Sequence, residues 1–172
     1  MKYAKINLFD IANGEGIRVS LFVTGCKFHC KGCFNQDAQD FSYGKDFTSE
    51  SVEIILNRLK DERFNGLTLI GGDPLWQTVK DMKALTKLCK EVHKLNKDIW
   101  IWSGFTWEDI FNNTDEESKA RQELISNCDV FIDGLFEEDK RDLSLAWRGS
   151  SNQRIIDIKE SLKENSVVTI VM

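Results

Sequence analysis

Apolar residues recur along this chain with two alternating periods. From 17 to 23, Ile17, Val19 and Leu21 alternate with Arg18 and Ser20 before the run becomes wholly apolar at Phe22 and Val23. A period of two marks a strand with one buried face. From 49 to 60 the period lengthens, and Val52, Ile55, Leu56 and Leu59 fall at i, i+3, i+4 and i+7, the stripe of an amphipathic helix. Thr48 is placed to cap that helix, and Glu50 and Glu53 lie in its first turns, where the helix dipole favours acids. The alternation continues with a strand at 67–70 and a helix at 79–95 whose apolar face runs from Val79 through Met82, Leu85 and Leu88 to Leu95. A strand follows at 99–102. The capping pattern of Thr106 and Asp109 then opens a short helix. A helix at 116–126, a strand at 130–132 and a last strand at 167–171 complete the series.

Strands alternating with helices predict an α/β fold with a parallel sheet. Four successive strands run into glycine-containing loops, at Gly25, Gly71-Gly72, Gly104 and Gly134. In parallel α/β folds ligands sit at the carboxyl ends of the strands. The four loops are therefore expected to share one face, with glycine letting backbone approach a ligand closely.

The chain has 172 residues with no repeat, linker or low-complexity tract, and its single proline, Pro74, sits inside a short motif, so one domain over 1–172 is expected. With 41% hydrophobic and 30% charged residues the composition is that of a soluble globular protein. A net charge of −5 argues against non-specific binding to nucleic acid or to an anionic membrane surface. No apolar run approaches the ~18 residues that span a bilayer. The amino terminus, Met1-Lys2-Tyr3-Ala4-Lys5-Ile6-Asn7, lacks the apolar core of a signal peptide, which places the expected location in the cytoplasm. In that reducing compartment five cysteines suggest metal or redox chemistry more than a disulfide framework.

Three of the five, Cys26, Cys30 and Cys33, form a C-x3-C-x2-C run in the loop after the first strand. Thiolates bind soft or borderline metals, and three on one short loop can reach three corners of a cubane iron–sulfur cluster. A fourth thiolate would complete the shell. Cys89, on an apolar helix face, and Cys128, at the start of a buried strand, both read instead as small core residues. An incomplete protein shell is how catalytic metal sites keep a position for substrate. Two other classes stay open on these residues: an electron carrier, and a zinc-stabilised module in which His29 or His93 completes the ligands. The paired C-x2-C arrangement usual for zinc is absent, and His29 directly precedes Cys30, so the two cannot easily share an ion.

The C-x3-C-x2-C run, with Gly71-Gly72-Asp73-Pro74 after the second strand, resembles the radical S-adenosylmethionine superfamily, where the second motif reads Gly-Gly-Glu-Pro. Further stretches are similar to the activating proteins of anaerobic, class III ribonucleotide reductases. These are Asp10-Ile11-Ala12-Asn13-Gly14-Glu15-Gly16-Ile17-Arg18, Gly32-Cys33-Phe34-Asn35, Lys97 through Gly104, Ile132-Asp133-Gly134, and Leu143 through Gln153. Within the last of these, Trp147-Arg148-Gly149-Ser150-Ser151-Asn152-Gln153 is the most subgroup-specific. The resemblance runs from about residue 3 to residue 160. Glu15 departs from it by replacing a proline. Asp73 stands in place of the superfamily's glutamate, as is familiar in this activase group. Gly32 stands where many superfamily members carry an aromatic.

The resemblance implies a radical S-adenosylmethionine fold, an incomplete TIM-type barrel of parallel strands, in keeping with a chain shorter than the ~250 residues of a full barrel. It implies Cys26, Cys30 and Cys33 as ligands of one [4Fe-4S] cluster, with the amino and carboxylate groups of S-adenosylmethionine on the fourth iron. Gly32, Cys33, Phe34, Gly71, Gly72 and Asp73 are the implied S-adenosylmethionine site. In it the Gly-Gly carbonyls face the ammonium group, Asp73 orients that group or supports the loop, and Phe34 stacks on adenine or simply packs. No catalytic side chain is implied beyond the cluster site. The implied reaction is reductive cleavage to a 5′-deoxyadenosyl radical that abstracts hydrogen from a glycine Cα in the large subunit of anaerobic ribonucleoside-triphosphate reductase, with a reduced flavodoxin-like protein as donor. A pyruvate formate-lyase-type activase or a small-molecule radical enzyme is the alternative within the superfamily, and the Trp147 to Gln153 run argues for the reductase activase. Trp100 and Trp102 share a face of their strand and are expected in the core. Glu137-Glu138-Asp139 reads as a solvated turn, with partner docking as the alternative.

Overall fold

The computed structural model describes residues 1–171. Its centre is a seven-stranded sheet in the order β3-β1-β2-β4-β5-β6-β7. The strands are β1 (Lys2–Asp10), β2 (Arg18–Val23), β3 (Lys45–Asp46), β4 (Gly66–Gly71), β5 (Asp98–Ser103), β6 (Val130–Asp133) and β7 (Arg154–Asp157). The middle strands β2, β4, β5 and β6 are parallel, with Val23 beside Gly71 and Ser103 beside Asp133. β1, β3 and β7 run antiparallel at the flanks. The sheet is thus mixed where the alternation predicted a parallel one.

Every expected middle strand and helix is present. α1 (Ser49–Leu59), α2 (Val79–His93), α3 (Trp107–Phe111) and α4 (Glu116–Ile125) lie within a residue or two of their predicted bounds, and α5 (Ile158–Glu164) is additional. The Thr106 cap forms as predicted: its N–H donates to Asp109 Oδ2 at 2.9 Å, and the Asp109 N–H donates back to Thr106 Oγ1 at 3.2 Å. β1 escapes the period-two pattern because its pairing with β2 shifts register twice, between Tyr3 and Lys5 and between Asn7 and Asp10, and each shift moves side chains to the other face. The strand expected at 167–171 does not form. That segment meets β7 through one bridge, Ile156 to Thr169, plus backbone bonds from Asp157 N–H to Val168 O and from Ile170 N–H to Ile155 O. Val168 N–H turns instead to the Ser161 side chain, donating to Oγ at 2.9 Å, and Val171 is almost fully exposed.

The alternation of each strand builds two unlike faces. Val19, Leu21, Leu67, Leu69, Ile99, Ile101 and Phe131 pack under the helices in one large core. The opposite face carries Arg18, Ser20, Thr68, Trp100, Trp102, Ile132 and Ile155, most of them buried. Trp100 and Trp102 stack at 5.8 Å, as their shared face predicted.

Arg18 closes the amino-terminal end of this second face. It is fully buried, donates from Nε to Thr68 Oγ1 at 2.8 Å, from Nη1 to Glu15 O at 3.0 Å and from Nη2 to Leu67 O at 2.8 Å, and pairs with Asp98. Its guanidinium lies 5.3 Å from the Trp100 ring. The Asp10–Arg18 motif is therefore a plug at the end of the sheet remote from the cysteines. Arg18→Met is expected to destabilise the protein by about 3 kcal/mol, since it removes a donor from the buried Leu67 carbonyl and from Thr68 Oγ1 and strips Asp98 of its partner. Urea unfolding of the two proteins checks it.

Candidate functional site

Because β2, β4, β5 and β6 are parallel, their carboxyl ends emerge on one edge and bring Gly25, Gly71-Gly72, Gly104 and Gly134 to one side of the sheet. The cysteine loop leaves β2 there and is held by backbone bonds on both flanks. The residues that follow it fold back, so that Gly25 N–H donates to Ala38 O at 2.8 Å and Cys26 N–H to Gln39 O at 3.0 Å. From the other side Gly72 N–H donates to Val23 O at 2.7 Å and Asp73 N–H to Gly25 O at 2.9 Å. Gln77, which no motif or period singles out, is buried and bridges the two loops: its Nε2 donates to Thr24 O at 3.0 Å and to Asp73 O at 3.1 Å.

Asp73 is 2% exposed. Its carboxylate accepts from Leu75 N–H at 2.8 Å, from Ser103 Oγ at 2.9 Å and from Gly104 N–H at 2.9 Å, tying the ends of β4 and β5 together. Burial raises its pKa to about 6 in spite of these donors. A carboxyl whose folded pKa is raised gives stability that is whole below its ordinary value near 3.8 and is lost as pH rises through about 6. Urea unfolding of the apo protein between pH 4 and 7 is expected to show this loss, up to about 3 kcal/mol. In Asp73→Asn that pH-dependent component should vanish.

Cys26, Cys30 and Cys33 are all half-buried on the one loop. Burial pushes the Cys26 thiol up to about 12, partly offset by the Phe28 N–H, and raises that of Cys30, partly offset by the Phe136 N–H. Ligation requires thiolates, so metal must displace these protons. Among the described residues no three His, Cys, Asp or Glu side chains gather around one point as a single ion needs. The corners of a cubane cluster stand farther apart than the ligands of one ion. Three half-buried soft donors on one loop, two of them faced by backbone N–H groups, fit such a cluster. Cys89 and Cys128 are not with them. Both are buried in the helix-side core, where Cys128 Sγ donates to Leu124 O at 3.4 Å. His93, the last residue of α2, meets Asp129 Oδ2 through Nε2 at 2.9 Å, while His29 Nδ1 meets Gln39 Oε1 at 2.8 Å.

The other expected site residues take distinct positions. Gly32 stands beside Glu138, whose Oε1 lies 3.1 Å from where a Cβ would sit. Phe34 is 84% exposed, so it is not packed in the protein interior. Phe28, between the first two cysteines, anchors the loop in an aromatic cluster, 5.3 Å from Trp76 and 4.9 Å from Phe105. Trp107 stacks on Phe111 at 4.1 Å, and Trp147 meets Trp100 edge-on at 5.8 Å. Glu138 belongs to a short exposed turn and reaches Lys31 Nζ at 3.1 Å, so the acidic run lies against the cysteine loop.

A site of three cysteines at the carboxyl edge of a mixed sheet has a close counterpart among known families. Residues 12–156 match the family described as a 4Fe-4S single cluster domain, and the chain belongs to it. More narrowly, it is 42% identical over 159 residues to the anaerobic ribonucleoside-triphosphate reductase-activating protein of Pasteurella multocida, an alignment covering 90% of this chain and 96% of that one. The proteins of the same name from Escherichia coli K12 and Enterobacteria phage T4 are each 38% identical over 156 residues, covering 89% and 90% of this chain and 96% and 93% of theirs. The chain belongs to the anaerobic ribonucleoside-triphosphate reductase-activating protein family. Among the described residues no helix is long and apolar enough to cross a membrane.

Proposed function

We propose that this chain is a radical S-adenosylmethionine activase, an oxidoreductase acting on the large subunit of anaerobic ribonucleoside-triphosphate reductase. When bound, a [4Fe-4S] cluster on Cys26, Cys30 and Cys33 supplies one electron that splits S-adenosylmethionine into methionine and a 5′-deoxyadenosyl radical, which takes a hydrogen atom from a glycine Cα of the partner. One observation carries this reading. The Gly71-Gly72-Asp73 loop is hydrogen-bonded directly to the backbone that leads into Cys26, so a molecule reaching from the cysteines to the glycine carbonyls is held by one rigid unit.

The chain's own residues bind, orient and shield. Gly71 and Gly72 present backbone carbonyls with no side chain in the way of an ammonium group. Asp73, its carboxylate engaged by Leu75, Ser103 and Gly104, acts through the loop it stabilises. Phe34, free of protein contacts that would bury it, offers an aromatic face to adenine, with Gly32 and Cys33 flanking it. The sheet is open between edge strands β3 and β7. We take it as a partial barrel whose open side admits a glycine-bearing loop of the reductase, and the 1–172 chain as one domain. A flavodoxin-like protein in the cytoplasm is the proposed donor.

The test is chemical. Anaerobically reconstituted, reduced protein mixed with S-adenosylmethionine should form 5′-deoxyadenosine and methionine in equal amounts. An intact, reducible cluster that leaves S-adenosylmethionine uncleaved would overturn the reading in favour of an electron carrier.

A further inference from the structure

The Trp147 to Gln153 run singled out in the sequence contains none of the proposed ligands, yet it leads directly into edge strand β7, at one lip of the opening in the sheet. It is fixed there at both ends. The Trp147 ring meets Trp100 edge-on at 5.8 Å, and its carbonyl accepts from Trp102 Nε1 at 3.0 Å, which seats the run on the second face of the sheet. Trp147 holds φ at 59°, in the left-handed region that a bulky side chain seldom adopts. At the other end Gln153 Nε2 donates to Gly134 O at 2.9 Å and Asn152 Nδ2 to Leu135 O at 2.8 Å, so the run is bound to the loop after β6.

Arg148 lies between these anchors. It is half-buried, yet its charge has no counterion. Arg18, Arg63, Arg121 and Arg154 each meet a carboxylate, and among the described residues Arg148 meets none. Arg58 also lacks one, but its guanidinium lies over the Phe64 ring at 4.4 Å, and Arg141 is exposed to water. Of the Arg148 guanidinium, Nη1 donates to Gln153 O at 3.2 Å. Nε is enclosed without a partner, and Nη2 donates to nothing among the described residues. Nε and Nη2 form the edge of a guanidinium that can hold a carboxylate by two parallel bonds. Asn152 Oδ1 is enclosed without a donor as well, so this run holds two of the four such buried atoms among the described residues. Unpaired groups of this kind cost stability. There is room beside them: the nearest atom to where a Cβ on Gly134 would sit is 3.9 Å away.

We propose that Arg148 binds a carboxylate of the reductase large subunit, carried on the glycine-bearing segment as it enters the open side of the sheet. S-Adenosylmethionine is not the source. Its single carboxylate is taken, in the reading above, by the iron beside the ends of β2 and β4, and the rest of the molecule carries no anion. The inference rests on that reading for its partner and for the side of entry, and on neither electron transfer nor the radical step.

Isothermal titration of the reconstituted, unreduced protein with the reductase large subunit tests it. Arg148→Gln should weaken the affinity roughly 30-fold and flatten its dependence on salt. Arg148→Lys keeps the charge and a donor for Gln153 O but not the two-bond edge; it should lose roughly fivefold, and it carries the test if Arg148→Gln does not fold. At saturating reductase the yield of glycyl radical should return to that of the parent, the mark of lost binding and not of lost chemistry. Parent affinity in both variants, a loss equal at every salt concentration, or weaker binding of S-adenosylmethionine in Arg148→Gln would overturn the proposal. A protein that loses the reductase with Arg148 yet forms no 5′-deoxyadenosine would keep this inference and lose the radical reading.

Discussion

Cys26→Ala, Cys30→Ala and Cys33→Ala are each expected to yield a folded protein that retains no stable cluster, with iron falling from roughly four per chain to near zero and radical formation falling to background. The three thiols sit on a loop outside the apolar core, so removing one costs little packing, and circular dichroism should be that of the parent. Cys89→Ala and Cys128→Ala should do the reverse. Both lie in the helix-side core, so each is expected to destabilise by about 1 kcal/mol while leaving the iron count intact. Iron and sulfide analysis of the five variants, beside their unfolding midpoints, separates the two groups. Loss of iron on replacing Cys89 or Cys128 alone would break the three-ligand assignment.

The second large effect concerns Gly72. A Cβ placed there would lie 2.4 Å from Ala38 O, 2.7 Å from Gly25 O and 2.9 Å from Gly25 N. All three are backbone atoms of the cysteine loop and the segment that folds back on it, and none can swing away as a side-chain tip would. Gly72→Ala must therefore move the Gly-Gly loop off the cysteine loop. The expected cost is about 3 kcal/mol in stability. Because the displacement falls between the proposed cluster and the proposed ammonium site, S-adenosylmethionine cleavage should drop by about 100-fold even where the cluster still assembles. Measuring 5′-deoxyadenosine per cluster, and not per chain, distinguishes this from simple loss of iron.

The central fold was legible because its strands and helices obey clean periods. Val19, Leu21, Leu67, Leu69, Ile99 and Ile101 point one way because alternate residues must, and their glycine-bearing ends share an edge because the strands are parallel. The flanks were not legible for equally physical reasons. β1 changes register twice, and β7 is four residues long with Ile155 and Ile156 buried on opposite faces, which leaves no pattern to count. At the site, the cysteines and the Gly-Gly pair announced themselves by composition and spacing. Gln77 and Gln153 did not, since both act on backbone carbonyls, which every residue carries. For Gln153 the available signal was its place in the Trp147 to Gln153 run, the most subgroup-specific part of the resemblance. The two roles open to Asp73 become unequal once its carboxylate is seen to tie Leu75, Ser103 and Gly104 together.

The chemistry proposed for this site has one direct test. The protein, reconstituted and reduced, is mixed anaerobically with S-adenosylmethionine and with the large subunit of an anaerobic ribonucleoside-triphosphate reductase whose glycines carry deuterium at Cα. The account predicts a glycyl radical by electron paramagnetic resonance on the reductase and one deuterium in each 5′-deoxyadenosine formed with it. A reductase that stays radical-free while S-adenosylmethionine is cleaved, or 5′-deoxyadenosine without deuterium beside a formed radical, would contradict it.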